Sequence, residues 1–157
     1  MSNSYADKIE AYLAGSAKIR SAVSGLTAAQ LTAFPVPGTW SIQQNVIHLL
    51  DSDLVASDRM KRIIAQDKPL LIGYDETAFS QKLFYHEQSV EDALTMFSLN
   101  RNATAAILRR LPDEAFARAG VHNERGLVTL ADMLDTYIRH VDNHLVHVLR
   151  KRAMVGG

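Results

Sequence analysis

From Leu130 to Val148, apolar side chains recur every three or four residues: Leu130, Leu134, Tyr137, Val141, Leu145 and Val148. No Gly or Pro interrupts the run. Only a helix, with 3.6 residues per turn, brings all six onto one face. Thr129 stands just before it with Asp132 three residues on, a capping-box arrangement that fixes the start. Arg150, Lys151 and Arg152 at the far end suit the negative pole of the helix dipole. A long helix with one apolar stripe must bury that stripe against other helices, so the rest of the chain is read for its partners.

Three further long helices are legible. The first spans residues 4–24, with Ser4 as its cap, Asp7 in its first turn and Gly25 as its stop. Ile9, Leu13, Ala17 and Val23 follow helical spacing, and Tyr5 and Tyr12 add bulk. The second opens on a capping box, Ser41 with Gln44, and runs to about Asp67. Ile42, Val46, Leu49, Leu50, Met60 and Ile64 share its broad apolar face. The third begins at Ser89, has Glu91 and Asp92 at its positive end, and stops before Pro112. Its stripe is Val90, Leu94, Phe97, Arg101, Ala105 and Leu108.

Between these lie a single turn near residues 26–31, breakers at Pro35, Pro37 and Gly38, and Trp40, read as a plug at the bundle end. Residues 68–77 read as loop, and Glu76 to Phe84 as a short helix whose Phe79, Leu83 and Phe84 cover something apolar. Residues 113–128 read as mostly loop, with a turn at Glu114 to Phe116; Gly120 and Gly126 bracket His122 to Arg125. Four long helices, short connections and almost no strand pattern predict an all-α four-helix bundle with extra helical turns in its loops. At 157 residues the chain is taken as one domain with a real core.

Charge and cysteine content exclude several functions. There are 17 basic and 17 acidic residues, so the zero net charge argues against non-specific nucleic-acid binding, which needs a basic surface to displace counterions, and leaves room only for a local patch. Cys is absent, which removes disulfides, zinc ribbons and thiol nucleophiles. No apolar run approaches a membrane span and the first residues lack a signal-peptide pattern, so a cytoplasmic protein is expected.

The chemistry-bearing residues are histidines. His140 and His144 are one turn apart on one border of the last helix's apolar face, where two imidazoles can grip one metal ion. His48, in the second helix, is a third candidate ligand. On a helical wheel it falls nearly opposite the apolar face, among Gln44, Asp51, Val55 and Arg59. Either it is a surface residue, or this helix is covered on two sides. Three imidazoles and no thiolate suit one borderline divalent transition metal, Zn, Ni or Fe, and leave open positions for chemistry. Position 141 is Val, so there is no HExxH protease helix, and no Glu-x-x-His pair marks a di-iron site. Asp51, one turn after His48, is a candidate to orient an imidazole or a bound water. His147 reads as a neighbour of the pair or a surface residue, and His86 as surface. His122 sits in a loop that could reach the bundle mouth. Asp53, Asp58 and Asp67 read as ordinary surface charges.

These stretches resemble the DinB/YfiT-like superfamily of metal-binding bundles. The matching pieces are Gly38 to Ile42, Val46 to Ser52, Tyr74 to Thr77, Gly120 to Gly126, Thr129 to Leu134 and Tyr137 to Leu145. The resemblance implies an up-down-down-up bundle, often dimeric, with His48, His140 and His144 as metal ligands. It also favours a groove, not the surface, for His48. Members of this branch resemble bacillithiol-dependent S-transferases and proteins provisionally named metal-dependent hydrolases; more distant ones include mycothiol-dependent enzymes.

Two classes of function therefore stand side by side. In one, a low-molecular-weight thiol or a water is activated at the metal and attacks a small electrophile. In the other, the metal is a staple in a non-catalytic bundle. Thiol transfer is preferred over hydrolysis because no placed general base is visible. A homodimer is expected, since Ile47 and Val55 lie off the second helix's main apolar face.

Overall fold

A computed structural model describes residues 4–156. The four long helices are α1 (Ala6–Val23), α3 (Ile42–Ala65), α5 (Val90–Leu108) and α6 (Leu130–Met154); α2 (Ala28–Thr32) and α4 (Glu76–Lys82) are short. Capping boxes at Thr27, Ser41 and Thr129 open α2, α3 and α6, and the Asp75 and Ser89 side chains cap α4 and α5. Ser4 caps nothing: Tyr5 stands at the N-cap of α1, and the Ser4 amide instead donates to Asp113 Oδ1 at 3.0 Å.

Paired residues give the direction of each helix. Lys8 meets Asp135 and Lys18 meets Asp142, so α1 and α6 run parallel. Arg20 meets Glu91 and Glu10 meets Arg109, so α1 and α5 are antiparallel. His48 faces His140 while Asn45 faces His144, so α3 and α6 are antiparallel. The order is up-down-down-up. Around the bundle α1 packs on α5 and α6, and α3 packs on the same two. This topology overturns the expectation of short connections. Neighbours that run the same way cannot be joined by a tight turn, so the link from α3 to α5 travels back along the bundle and carries α4 on its way.

A three-stranded sheet, absent from the sequence reading, fills the loops at one end. β1 (Leu70–Leu71) pairs parallel with β2 (Ala119–His122), which pairs antiparallel with β3 (Gly126–Thr129). The turn between β2 and β3 closes at Gly126, whose φ of +73° suits glycine. Gly120 lets β1 approach: a Cβ there would lie 2.8 Å from Leu71 Cδ1 and 2.9 Å from the Pro69 carbonyl oxygen. Just before β2, residues Asp113–Ala117 form a 3-10 helix that brings Phe116 into the core, stacked 3.9 Å from the Tyr5 ring.

Burial corrects the sequence reading at several places. The buried stripe of α1 is Ile9, Tyr12, Gly15, Ile19, Ala22 and Val23, while Ala17 is exposed. Ile47 is fully buried by the chain's own helices, so it supplies no motive for a dimer. Leu83 and Phe84 are largely exposed and join neither core cluster; Phe79 alone of that trio packs on the core. Asp53 is no surface charge but lies buried against Arg101. No described helix is long and apolar enough to cross a membrane.

Candidate metal centre

α3 is covered on two sides, by α5 and by α6, and this resolves the wheel problem at His48. The ring is fully buried and faces α6. Its Nε2 lies 3.2 Å from Nε2 of His140. The His144 ring centroid is 4.8 Å from that of His48 and 4.6 Å from that of His140. One ring nitrogen from each of the three lies within 4.8 Å of the others. Two nitrogens bound to one tetrahedral ion at about 2.0–2.1 Å sit about 3.3 Å apart, so the His48–His140 separation fits a shared metal.

The ring of His144 is oriented by Asn45. The Asn45 amide nitrogen donates to the Ser41 carbonyl at 2.8 Å, which leaves Oδ1 facing His144 Nδ1 at 2.9 Å. Nδ1 therefore carries the proton, and Nε2 is left with its lone pair for a metal. His48 has no such partner: its Nδ1 is buried without a hydrogen bond. Packing sets its plane instead. Trp40 lies 4.7 Å from the His48 ring and stacks at 6.4 Å on His144. Trp40 is thus a wall of the histidine cluster as well as a plug, a role that its position before the α3 cap does not reveal.

All three imidazoles are held neutral. Burial first, then His144 and His140, pushes His48 down to about 3. Burial and then His144 push His140 down to about 4, and burial and then His147 push His144 down to about 4. Neutral rings are the form that binds a metal, so the cluster suits a cation without prior loss of protons near neutral pH.

The other sequence candidates separate. Asp51 accepts a 2.6 Å hydrogen bond from the Tyr85 hydroxyl, not from an imidazole. His86 is exposed beside Glu87. His147 is exposed, 6.5 Å from His144. His122 is buried and shares a cleft with His140, a position the sequence reading allowed for without locating.

A cleft opens on each side of the triad. On the His140 side, a cleft of about 110 Å³ is lined by Ser52, Arg59, Tyr74, Glu76, His122 and Tyr137 among others. On the His144 side, one of about 320 Å³ is lined by Val36, Trp40, His147, Arg150 and Lys151. Lys151, read from the sequence as a dipole match, is buried and donates to the Trp40 carbonyl, which ties the wall to α6.

A family model described as the DinB superfamily matches residues 11–148. The chain belongs to the DinB superfamily. Among curated members, YfiT of Bacillus subtilis, provisionally named a metal-dependent hydrolase, is 28% identical over 141 residues, which cover 89% of this chain and 79% of YfiT. A protein of Oceanobacillus iheyensis with the same provisional name is 26% identical over 130 residues, 83% of this chain and 75% of its own. The solved YfiT structure, described as an unusual four-helix bundle topology, superposes with a TM-score of 0.90 at 27% identity. That alignment covers 96% of this chain and 86% of YfiT. The bundle and its helix arrangement match those of that YfiT structure.

Proposed function

We propose that this protein is a metal-dependent enzyme in which His48, His140 and His144 hold one divalent transition metal, and that it joins a low-molecular-weight thiol to a small electrophile. The observation that carries the reading is the pair of clefts flanking the triad, one against His140 and one against His144. A transfer between two small molecules needs two binding places that meet at one reactive point, whereas hydrolysis needs one.

A divalent ion held by three neutral imidazoles keeps its full charge and open positions, and lowers the pKa of a thiol or water bound to it. The chain supplies the rest. Asn45 fixes the lone pair of His144, and Trp40 screens His48 and His144 from water. The larger cleft offers the Trp40 ring and Val36 to an apolar body.

Hydrolysis is the second reading, and one observation favours it besides the provisional names of the relatives. Glu76 lines the His140-side cleft, and burial raises its pKa, the direction a general base for water needs. Elemental analysis of the protein and of His48→Ala, His140→Ala and His144→Ala tests the metal. One equivalent lost in each folded variant is expected, and full occupancy in His140→Ala would refute the triad. A conjugation screen with metal-loaded protein then separates the chemistries, because turnover that needs no thiol sinks transfer and leaves hydrolysis. The homodimer proposed with this reading draws on the family resemblance. A monomer mass by light scattering at micromolar protein would remove the dimer.

A further inference from the structure

Arg59 is a buried cation with no direct ion pair among the described residues. The residue is only 7% exposed, yet it forms no ion pair with any described Asp or Glu. Of its five N–H donors, its one hydrogen bond among the described residues runs from Nη2 to the Ile72 carbonyl. Its Nε is buried with no partner among the described residues. Burying a guanidinium in this way is costly unless an anion completes it. The neighbouring α3 arginine, Arg62, is exposed and paired with Asp58 at 2.7 Å, so the contrast is not one of composition.

His122 stands in the same cleft. The Glu124 amide donates to its Nδ1 at 3.1 Å, so the neutral ring carries its proton on Nε2. Burial, then Arg59 and Arg125, hold the pKa of this ring below the ordinary value, which keeps it a neutral N–H donor. The small sheet fixes both groups. Arg59 is pinned to the end of β1 through Ile72, Asn123 accepts from the Gly73 amide at 2.8 Å, and His122 ends β2.

We propose that Arg59 and His122 form a carboxylate-binding subsite beside His140, so that the substrate entering this cleft is a small carboxylic acid. This rests on the functional reading above and deepens it. Size supports the class: about 110 Å³ is room for roughly three waters, which suits a carboxylate and its adjoining carbons. Charge supports it as well. Glu76 and Glu124 line the same cleft as Arg59 and Arg125, so its charges balance, and a monoanion is better accommodated than a phosphate dianion. The sheet gains a purpose, since it places His122 and holds the Arg59 guanidinium through the Ile72 carbonyl.

The test is a titration of the full-length protein with propionate and with inorganic phosphate. Side-chain nitrogen NMR follows the Arg59 Nε–H and His122 Nε2–H signals, in metal-loaded and in chelated protein. Saturable propionate binding that moves both signals in both forms is expected, with phosphate weaker. Arg59→Lys and His122→Phe should each weaken propionate by about tenfold or more, as expected for loss of a hydrogen bond to a charged group. Retained helical circular dichroism qualifies each variant, and either one alone suffices. No saturation by about 50 mM propionate, a level that would reveal even very weak binding, overturns the subsite. Phosphate binding as tight as propionate overturns the carboxylate class. Binding that disappears on chelation and ignores both substitutions places the carboxylate on the metal and also overturns the subsite. Metal content is read separately, so loss of the triad reading would leave the result in chelated protein standing.

Discussion

Asp53 and Arg101 meet in the middle of the bundle, each 1% exposed, with Oδ1 of Asp53 accepting from Nε at 3.0 Å and lying 2.9 Å from Nη2. All four long helices converge there. Arg101 belongs to α5 and Asp53 to α3, and the guanidinium also donates to the Tyr12 carbonyl of α1 and the Tyr137 carbonyl of α6. Asn100 completes the carboxylate by donating to Oδ2 at 2.8 Å. The Phe97 and Tyr12 rings face the guanidinium at 4.7 and 4.1 Å. One polar cluster thus registers four helices that apolar packing alone would let slide.

Removing one member of this pair should be severe. Asp53→Leu leaves a buried guanidinium without its carboxylate, a loss of about 3–5 kcal/mol. Arg101→Met strands the carboxylate at a similar cost. The double variant should recover much of the loss, because both charges go together. Urea midpoints of the two single variants and the double variant decide this. Additive losses in the double variant would show that the pair is not the source of the effect.

Gly15 is the second test of the same hub. A Cβ there would lie 2.5 Å from Arg101 Nη1 and 3.3 Å from Val141 Cγ2. Two effects oppose each other in Gly15→Ala. Helix propensity gains about 1 kcal/mol. Against it, the guanidinium cannot swing aside without leaving Asp53 and two carbonyls, and overpacking costs about 1–3 kcal/mol. A net loss of about 1 kcal/mol is expected in thermal or urea unfolding. A stabilised Gly15→Ala would mean that Arg101 is free to move.

The sequence made the helices, their caps and the His140–His144 pair readable, because each depends on spacing within one segment. His48 was ambiguous because a wheel reports one apolar face, whereas α3 buries Asn45, His48, Ser52, Asp53 and Ser57 beneath the neighbouring helices α5 and α6. Arg101 carried an unused signal. A guanidinium on an apolar stripe requires a buried carboxylate elsewhere, and that requirement pointed away from a surface Asp53. The sheet was missed for its brevity. Val121, Leu127, Val128 and Thr129 flank a turn that ends in glycine, a hairpin pattern too short to stand out between two long helices.

Acid should destabilise the chelated protein through the histidine cluster. The sign follows from the shifts. The folded-state pKa of His48 is pushed down to about 3, below the ordinary value near 6.5 that it regains on unfolding. The unfolded chain therefore takes up protons first. Stability is full above about pH 6.5 and is lost as pH falls towards the folded-state values. At pH 5 His48 alone costs about 2 kcal/mol. His140 and His144 titrate in the same window, with folded-state values of about 4. Urea unfolding at pH 7 and pH 5, with and without His48→Phe, measures the effect. Equal stability of the chelated protein at both pH values would contradict the neutral, buried cluster.

Asn45 offers a way to weaken the proposed metal binding without touching any of the three histidines. Its Oδ1 holds Nδ1–H of His144, and its amide nitrogen is committed to the Ser41 carbonyl, so it cannot flip without losing both bonds. Asn45→Leu keeps the volume and removes the acceptor. The ring of His144 can then rotate or change tautomer, and loss of such an orienting partner costs about 10–100-fold in metal affinity. Asn45→Asp keeps an acceptor in place and should retain affinity near the wild-type value. The bundle should survive both changes, since its core lies in the apolar clusters and the Asp53–Arg101 hub. Competition with a coloured chelator gives the affinities, and circular dichroism confirms the fold. Unchanged affinity in folded Asn45→Leu would show that His144 is held by packing against Trp40 and not by the amide.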